Sequence, residues 1–235
     1  MTNTAWPVLP HGPIEQLEEN LWLVTGDLPR IGLKRTMTLA RMADGRLAIY
    51  NAVALDPAAM QALERLGDPA VLLVPSAYHR IDAARFKTRY PQSKVLCPTA
   101  ARKAVSKVVA LDGTYDDFPS DPSVSVRLLG GLGGTEGVMF VRSQRGTTAV
   151  VNDCLFNMPH NRGLGGFITR YITQSSAGPR VSRLARLGLV KDKAAYRAEL
   201  ESLASMPGLI RVVVAHHVPI TESVGDTLRA VAKTL

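Results

Sequence analysis

Three short apolar runs constrain this chain most: VLLVP at residues 71–75, KVLCP at 94–98 and LIRVVV at 209–214, each followed by polar residues and then a helical pattern. Such runs are too short for buried helices, and near-continuous apolarity fits strands covered on both faces. The segments that follow them, IDAARFKTRYP, TAARKAVSKVV and VGDTLRAVAKTL, read as helices, so the chain contains β-α steps, which join parallel strands. Between and before these units the pattern changes. NLWLVTG, RTMTLARM and RLAIYNAVAL read as strands, the last two joined through Asp44-Gly45, a pair suited to a hairpin because both positions tolerate positive φ. SVSVRLLGG, GVMFVRSQ and TTAVVNDCLF return to strands, with a second hairpin around Arg145-Gly146.

Two further helices are legible from their ends. In DPAAMQALERLG, Asp56 is placed to cap, Pro57 fits the first turn, Met60, Leu63 and Leu66 share a face, and Gly67 closes the helix. Asp192 opens another, whose apolar face carries Tyr196, Leu200 and Leu203. Asp82, just before AARFKTRY, has the position of an N-cap. Hairpin strands, β-α units, hairpin strands again and a last β-α unit predict an α+β or α/β chain: two mixed sheets face to face with helices outside.

With 235 residues, 46% of them hydrophobic, the chain suits a single domain over 1–235. No apolar run approaches the roughly 18 residues of a membrane span, and the start lacks the basic-then-apolar order of a secretory signal, so a cytoplasmic location without membrane partners is expected. Cys97 and Cys154 stand far apart without a CxxC pair, which predicts two reduced thiols. The net charge of +8 favours anionic ligands or acidic protein partners. Aromatic content of 6% without stacking residues among the basic ones argues against nucleic acid. Residues 160–193 are rich in Gly and Arg and read as a surface insertion or lid, with a short amphipathic piece at Val181, Leu184 and Leu187.

No phosphate-cradling GxxxxGK[ST] or GxGxxG occurs, and no GxSxG turn. The chemistry-bearing residues sit instead where strands stop. His79 follows VLLVP, Asp153 follows TTAVVN, and His216 and His217 follow LIRVVV, so three strands can deliver donors to one sheet edge. Neighbouring strand residues face opposite ways, and of the last pair His216 is the one expected to reach the site. His11 and His160 are expected in solvent-facing loops.

RTMTLARMADGRLAIYNAVAL, PSAYHRIDAARFKTRYPQSKVLCP and the late VVNDCLF resemble the metallo-β-lactamase superfamily, most closely a poorly characterised domain family within it, over nearly the whole chain. The resemblance implies a four-layer αββα sandwich with a metal site at one edge of the sheets. In the superfamily a strand is followed by HxHxDH; here AYHRID places Ala77, His79, Ile81 and Asp82 at the motif's four ligand positions. The next His of the family falls on Gly134, the metal-bridging Asp on Asp153, and the last His on His216. The metal motif is therefore degenerate, with His79, Asp82, Asp153 and His216 as the remaining donors.

Two readings follow. In the first the protein holds no metal and uses the pocket, with Tyr78, Arg80, His217 and Arg162 as contacts, to bind a small anionic ligand or a protein partner. In the second it is a hydrolase with one weakly bound divalent metal, Zn, Mn or Fe, on the four donors, because a cation makes water nucleophilic by lowering its pKa. Nucleic-acid binding is a weaker third.

Overall fold

The computed structural model describes residues 8–28, 33–160 and 163–235. Seven strands form the first sheet, in sequence order: β1 (Glu15–Glu18), β2 (Leu21–Asp27), β3 (Lys34–Arg41), β4 (Leu47–Tyr50), β5 (Pro69–Leu73), β6 (Lys94–Cys97) and β7 (Gly113–Thr114). The first four pair antiparallel, whereas β4 to β7 run parallel, as the β-α steps require. The β3–β4 hairpin forms at Asp44-Gly45, but only Gly45 takes a positive φ, 86°.

The second sheet has the order β13-β10-β9-β8, built from β8 (Val124–Leu128), β9 (Gly137–Ser143), β10 (Gly146–Val150) and β13 (Leu209–Val213). Only β10 and β13 are parallel. A two-stranded ribbon, β11 (Phe156–Met158) with β12 (Gly178–Arg180), lies between them in sequence.

Three apolar layers hold these parts together. Leu21, Leu23, Tyr50, Leu73, Met139, Val141 and Val213 fill the space between the two sheets. On the outer face of the first sheet, Leu39, Ile49, Leu72 and Val95 pack against Met60 and Leu63 of α1 (Pro57–Leu66) and Phe86 of α2 (Ala83–Arg89). On the outer face of the second, Phe140, Ala149 and Val212 pack against α5 (Arg183–Gly188), α6 (Lys193–Ala204) and α7 (Val224–Ala232), with Tyr196, Leu200, Leu203 and Leu228 buried. This is the expected αββα sandwich. Burial of both sheet faces explains why the central strands show unbroken apolar runs instead of alternation.

The expected caps of α1 and α6 are present: Asp56 accepts from the Ala59 amide and Asp192 from the Ala195 amide. The loop before β9 needs glycine at 131, where φ is 78° and a Cβ would lie 2.4 Å from the Tyr196 amide nitrogen.

Several expectations are corrected. After β6 the helix is one 3₁₀ turn plus α3 (Arg102–Val105), shorter than TAARKAVSKVV suggested. His11 is packed, not solvent-facing: its Nε2 accepts from the Asp56 amide at 3.0 Å. His160 is exposed, as expected. Asp82 makes no N-cap hydrogen bond. Within the 160–193 segment, which contains α4 (Gly163–Phe167) and a π-helical turn at Ile168–Ile172, Val181 is buried but Leu184 and Leu187 are 66% and 75% exposed. Of the expected apolar face at 181–187 only Val181 is buried, because α5 turns Ala185 inward in place of the two leucines.

Candidate metal centre

The loops that leave β4, β5, β10 and β13 meet at one edge of the sandwich. Asn51 follows β4, His79 comes six residues after β5, Asp153 three after β10 and His216 three after β13. The sheets are tied there by the Thr36 amide, which donates to the Ala215 carbonyl at 2.8 Å. His79, Asp153 and His216 come together with one ligand atom from each inside a span of 4.8 Å. Asp153 Oδ1 lies 3.0 Å from His216 Nε2 and 3.2 Å from His79 Nε2.

The far side of each imidazole is fixed by a hydrogen-bond acceptor. Asn51 donates its amide nitrogen to the Thr36 carbonyl at 2.8 Å, which turns its Oδ1 to His79 Nδ1 at 3.1 Å. The Lys34 carbonyl lies 2.6 Å from His216 Nδ1. Each Nδ1 therefore carries the hydrogen, and in the neutral rings both Nε2 lone pairs face the Asp153 oxygen. Acceptors facing acceptors repel unless a proton or a cation lies among them. Such back-bonding of Nδ1 to an oxygen is the usual support of a metal-ligating histidine. Ligands about 2.1 Å from a tetrahedral centre stand about 3.4 Å apart, so the contacts of 3.0 and 3.2 Å would open slightly around an ion.

Electrostatics reinforce the cluster. Burial would raise the Asp153 carboxyl, but the charge of His79 and hydrogen bonds from His216 and His79 hold it well below the usual carboxylate range. Burial works against protonation of His216, yet its hydrogen bond to Asp153, the Asp153 charge and the Lys34 carbonyl raise its pKa. Phe156 stacks on the His216 ring at 5.5 Å between centroids.

Glu136, which stands in no motif of the sequence, anchors the Asp153 loop. Fully buried, it accepts from the amides of Asp153 and Cys154 at 3.2 and 2.9 Å and from the Asn152 side chain at 3.2 Å. Burial, then the nearby Asp153 charge, pushes its carboxyl up to about 8. Its only signal in the sequence is a carboxylate directly ahead of the apolar strand GVMFV.

The remaining candidates lie elsewhere. Asp82 is 1% exposed and belongs to a different cluster: it ion-pairs with Arg35 and Arg85 and accepts from the Ala54 amide at 3.0 Å. It is absent from the group of converging donors. Ile81 is exposed, and Gly134, with φ 72°, offers no side chain. Arg80 turns its guanidinium to the Ala104 carbonyl. Arg162 lies outside the described residues. Among the described residues, three donors converge, a set that could hold one metal ion.

Asp153 and His216 of the cluster line a cleft of about 810 Å³. Phe156 and Met158 line it, together with Thr169, Leu184, Ala185 and Leu189 of the 160–193 segment. Tyr78, 77% exposed, and His217 also line it, the latter with a buried Nε2 that has no hydrogen-bond partner. His217 is held at φ 73°, and burial, followed by the charges of His216 and Lys34, lowers its pKa.

No protein-family model and no curated protein matches the chain. Among solved structures it is similar to the DIM-1 metallo-β-lactamase exposed to ceftazidime, with a TM-score of 0.64 and 13% identity over 97% of this chain and 98% of that one. A metallo-β-lactamase from Erythrobacter litoralis with β-mercaptoethanol in its active site gives 0.63 and 12%, over 94% and 96%. The FIM-1 enzyme from Pseudomonas aeruginosa in its mono-zinc form gives 0.62 and 10%, over 98% of both chains.

Proposed function

On the premise that the chain has the metallo-β-lactamase fold, we propose that it is a hydrolase-type protein that holds one divalent cation on His79, Asp153 and His216. The observation that carries this reading is the ring placement: two imidazoles whose Nδ1 atoms lie against oxygen acceptors and whose Nε2 atoms converge on one carboxylate oxygen. Two histidines and one carboxylate with positions left open suit Zn, Mn or Fe(II). A cation there would supply Lewis acidity, lowering the pKa of water and polarising a carbonyl. The chain's own residues have separate tasks. Asn51 and the Lys34 carbonyl orient the ligands, Glu136 fixes the Asp153 loop, and Phe156 packs on His216 to keep water from its ring face.

The cleft also indicates the kind of substrate. Its described walls carry no lysine or arginine, and Phe156, Met158, Leu184 and Leu189 dominate them. A largely apolar molecule with one polar reactive group fits better than the small anion expected from net charge. Outside the proposed ligands, Tyr78, Thr169, Thr173, Ser175, Ser182 and His217 are the polar side chains of its lining.

The metal-free reading keeps one specific support, since a proton on His216 satisfies its contact with Asp153. Calorimetric titration of chelator-treated protein with Zn, Mn(II) and Fe(II) separates the two. One equivalent bound, tighter as pH rises because the metal displaces a proton, and lost in His79→Ala, supports the metal reading. No heat at any pH in folded protein overturns it in favour of a metal-free ligand site.

A further inference from the structure

The cleft opens beside a surface of unusual composition. Between Asp153 and Asp192 the sequence has five arginines and one lysine and no aspartate or glutamate. The same stretch exposes Phe167, Tyr171, Ile172, Leu184 and Leu187, each more than half accessible. Isolated exposed apolar residues are ordinary; aromatic and aliphatic residues gathered on one short segment are not. The two pieces that carry them, the 163–172 helical stretch and α5, are joined by the Arg183 amide, which donates to the Thr173 carbonyl at 2.8 Å, and both border the cleft.

Among the described residues no carboxylate pairs with Arg170, Arg180, Arg183 or Arg186. Arg180 and Arg186 donate only to the Ala177 and Val181 carbonyls, and Arg170 lies over the Tyr171 ring at 5.5 Å. Three of the guanidiniums are close enough to repel: burial, then the charges of Arg170 and Arg186, lowers the pKa of Arg180. Concentrated, uncompensated positive charge next to exposed apolar side chains costs stability unless an anionic partner with an apolar interior covers it.

We propose that the 163–188 surface docks on an anionic lipid membrane surface, with Phe167, Tyr171, Ile172, Leu184 and Leu187 entering the headgroup boundary and Arg170, Arg183 and Arg186 meeting lipid phosphates. The protein then lies on the membrane without crossing it, and no helix among the described residues is long and apolar enough to cross. Charge selects this occupant over a second copy of the chain, because a two-fold contact through this face would set arginines against arginines. Nucleic acid would meet the charge but leave the aliphatic side chains unused.

The test is co-sedimentation of the full chain with phosphatidylcholine vesicles, with and without phosphatidylglycerol, at low and high salt. Binding is expected only to the anionic vesicles, weakened by salt and reduced roughly fivefold by each of Arg170→Gln and Arg183→Gln. Phe167→Ser with Tyr171→Ser should weaken it further without altering the circular dichroism spectrum. As an independent readout, Phe167→Trp should show emission that shifts to the blue on binding and is quenched by brominated lipid. Failure to bind anionic vesicles, or equal binding to neutral ones, overturns the proposal. So does a concentration-dependent dimer that Leu187→Arg dissociates, which would identify a second copy as the occupant.

Discussion

Asp82, buried, and Asp153, partly buried, are carboxylates at the same edge of the sandwich, each on a loop after a central parallel strand, yet their surroundings give them different chemistry. Asp82 has two guanidiniums and a backbone amide on its two oxygens, so both its charge and its lone pairs are matched inside the protein. Asp153 faces two imidazoles, groups that can give up their protons. An arginine stays protonated and leaves no room for a cation, whereas a neutral histidine becomes a second donor to one. The comparison teaches that a carboxylate's partner type, more than its burial or its place in a motif, separates a fastening from a ligand.

The strongest way to break the comparison is to remove the fastening. Asp82→Ala leaves Arg35, 4% exposed in its side chain, charged and without its ion-pair partner, and should cost about 3–5 kcal/mol in urea unfolding. A loss near 1 kcal/mol, the value for a missing helix cap, would instead return Asp82 to the role expected from sequence. The metal stoichiometry of the folded fraction should not change.

Glu136 extends the comparison to a buried carboxylate with no cation at all. Its pKa is raised from 4.5 to about 8, so its proton stabilises the folded state fully below 4.5, and that contribution is lost as pH rises to about 8. In chelator, wild-type protein should therefore lose a few kcal/mol across this window relative to Glu136→Gln, which does not titrate. Parallel stability curves for the two proteins would show that Glu136 stays ionised.

Smaller effects sharpen the other side. Asn51→Gly removes the acceptor behind His79 while tolerating the backbone φ of 59°, and metal affinity should fall roughly 10–100-fold with the fold intact. Unchanged affinity would mean that His79 is not a ligand through Nε2. Smallest of all, Ile81→Asp restores the carboxylate that the superfamily motif has at this position. Because Ile81 is exposed, stability should shift by less than about 0.5 kcal/mol and no second equivalent of metal should bind.

The layered sandwich was legible in the sequence because its central strands are buried on both faces. VLLVP, KVLCP after Lys94 and LIRVVV apart from Arg211 are continuous apolar runs, and the helix-bearing steps beside them required parallel pairing. The short ribbon of β11 and β12, and the edge strand β7, were not legible, since two or three residues of backbone pairing leave no periodic pattern. At the site, the donors at strand ends, among them His79, Asp153 and His216, are read directly from the order of residues. Which of them converge depends on packing. Arg35, far from Asp82 in sequence, claims that carboxylate; Asn51 and the Lys34 carbonyl set the tautomers; and Glu136 anchors the Asp153 loop. Each of these partners comes from another strand's end, and whether a charged side chain becomes a ligand or a fastening depends on what the packed sheets bring within hydrogen-bond reach, which no local pattern along the chain encodes.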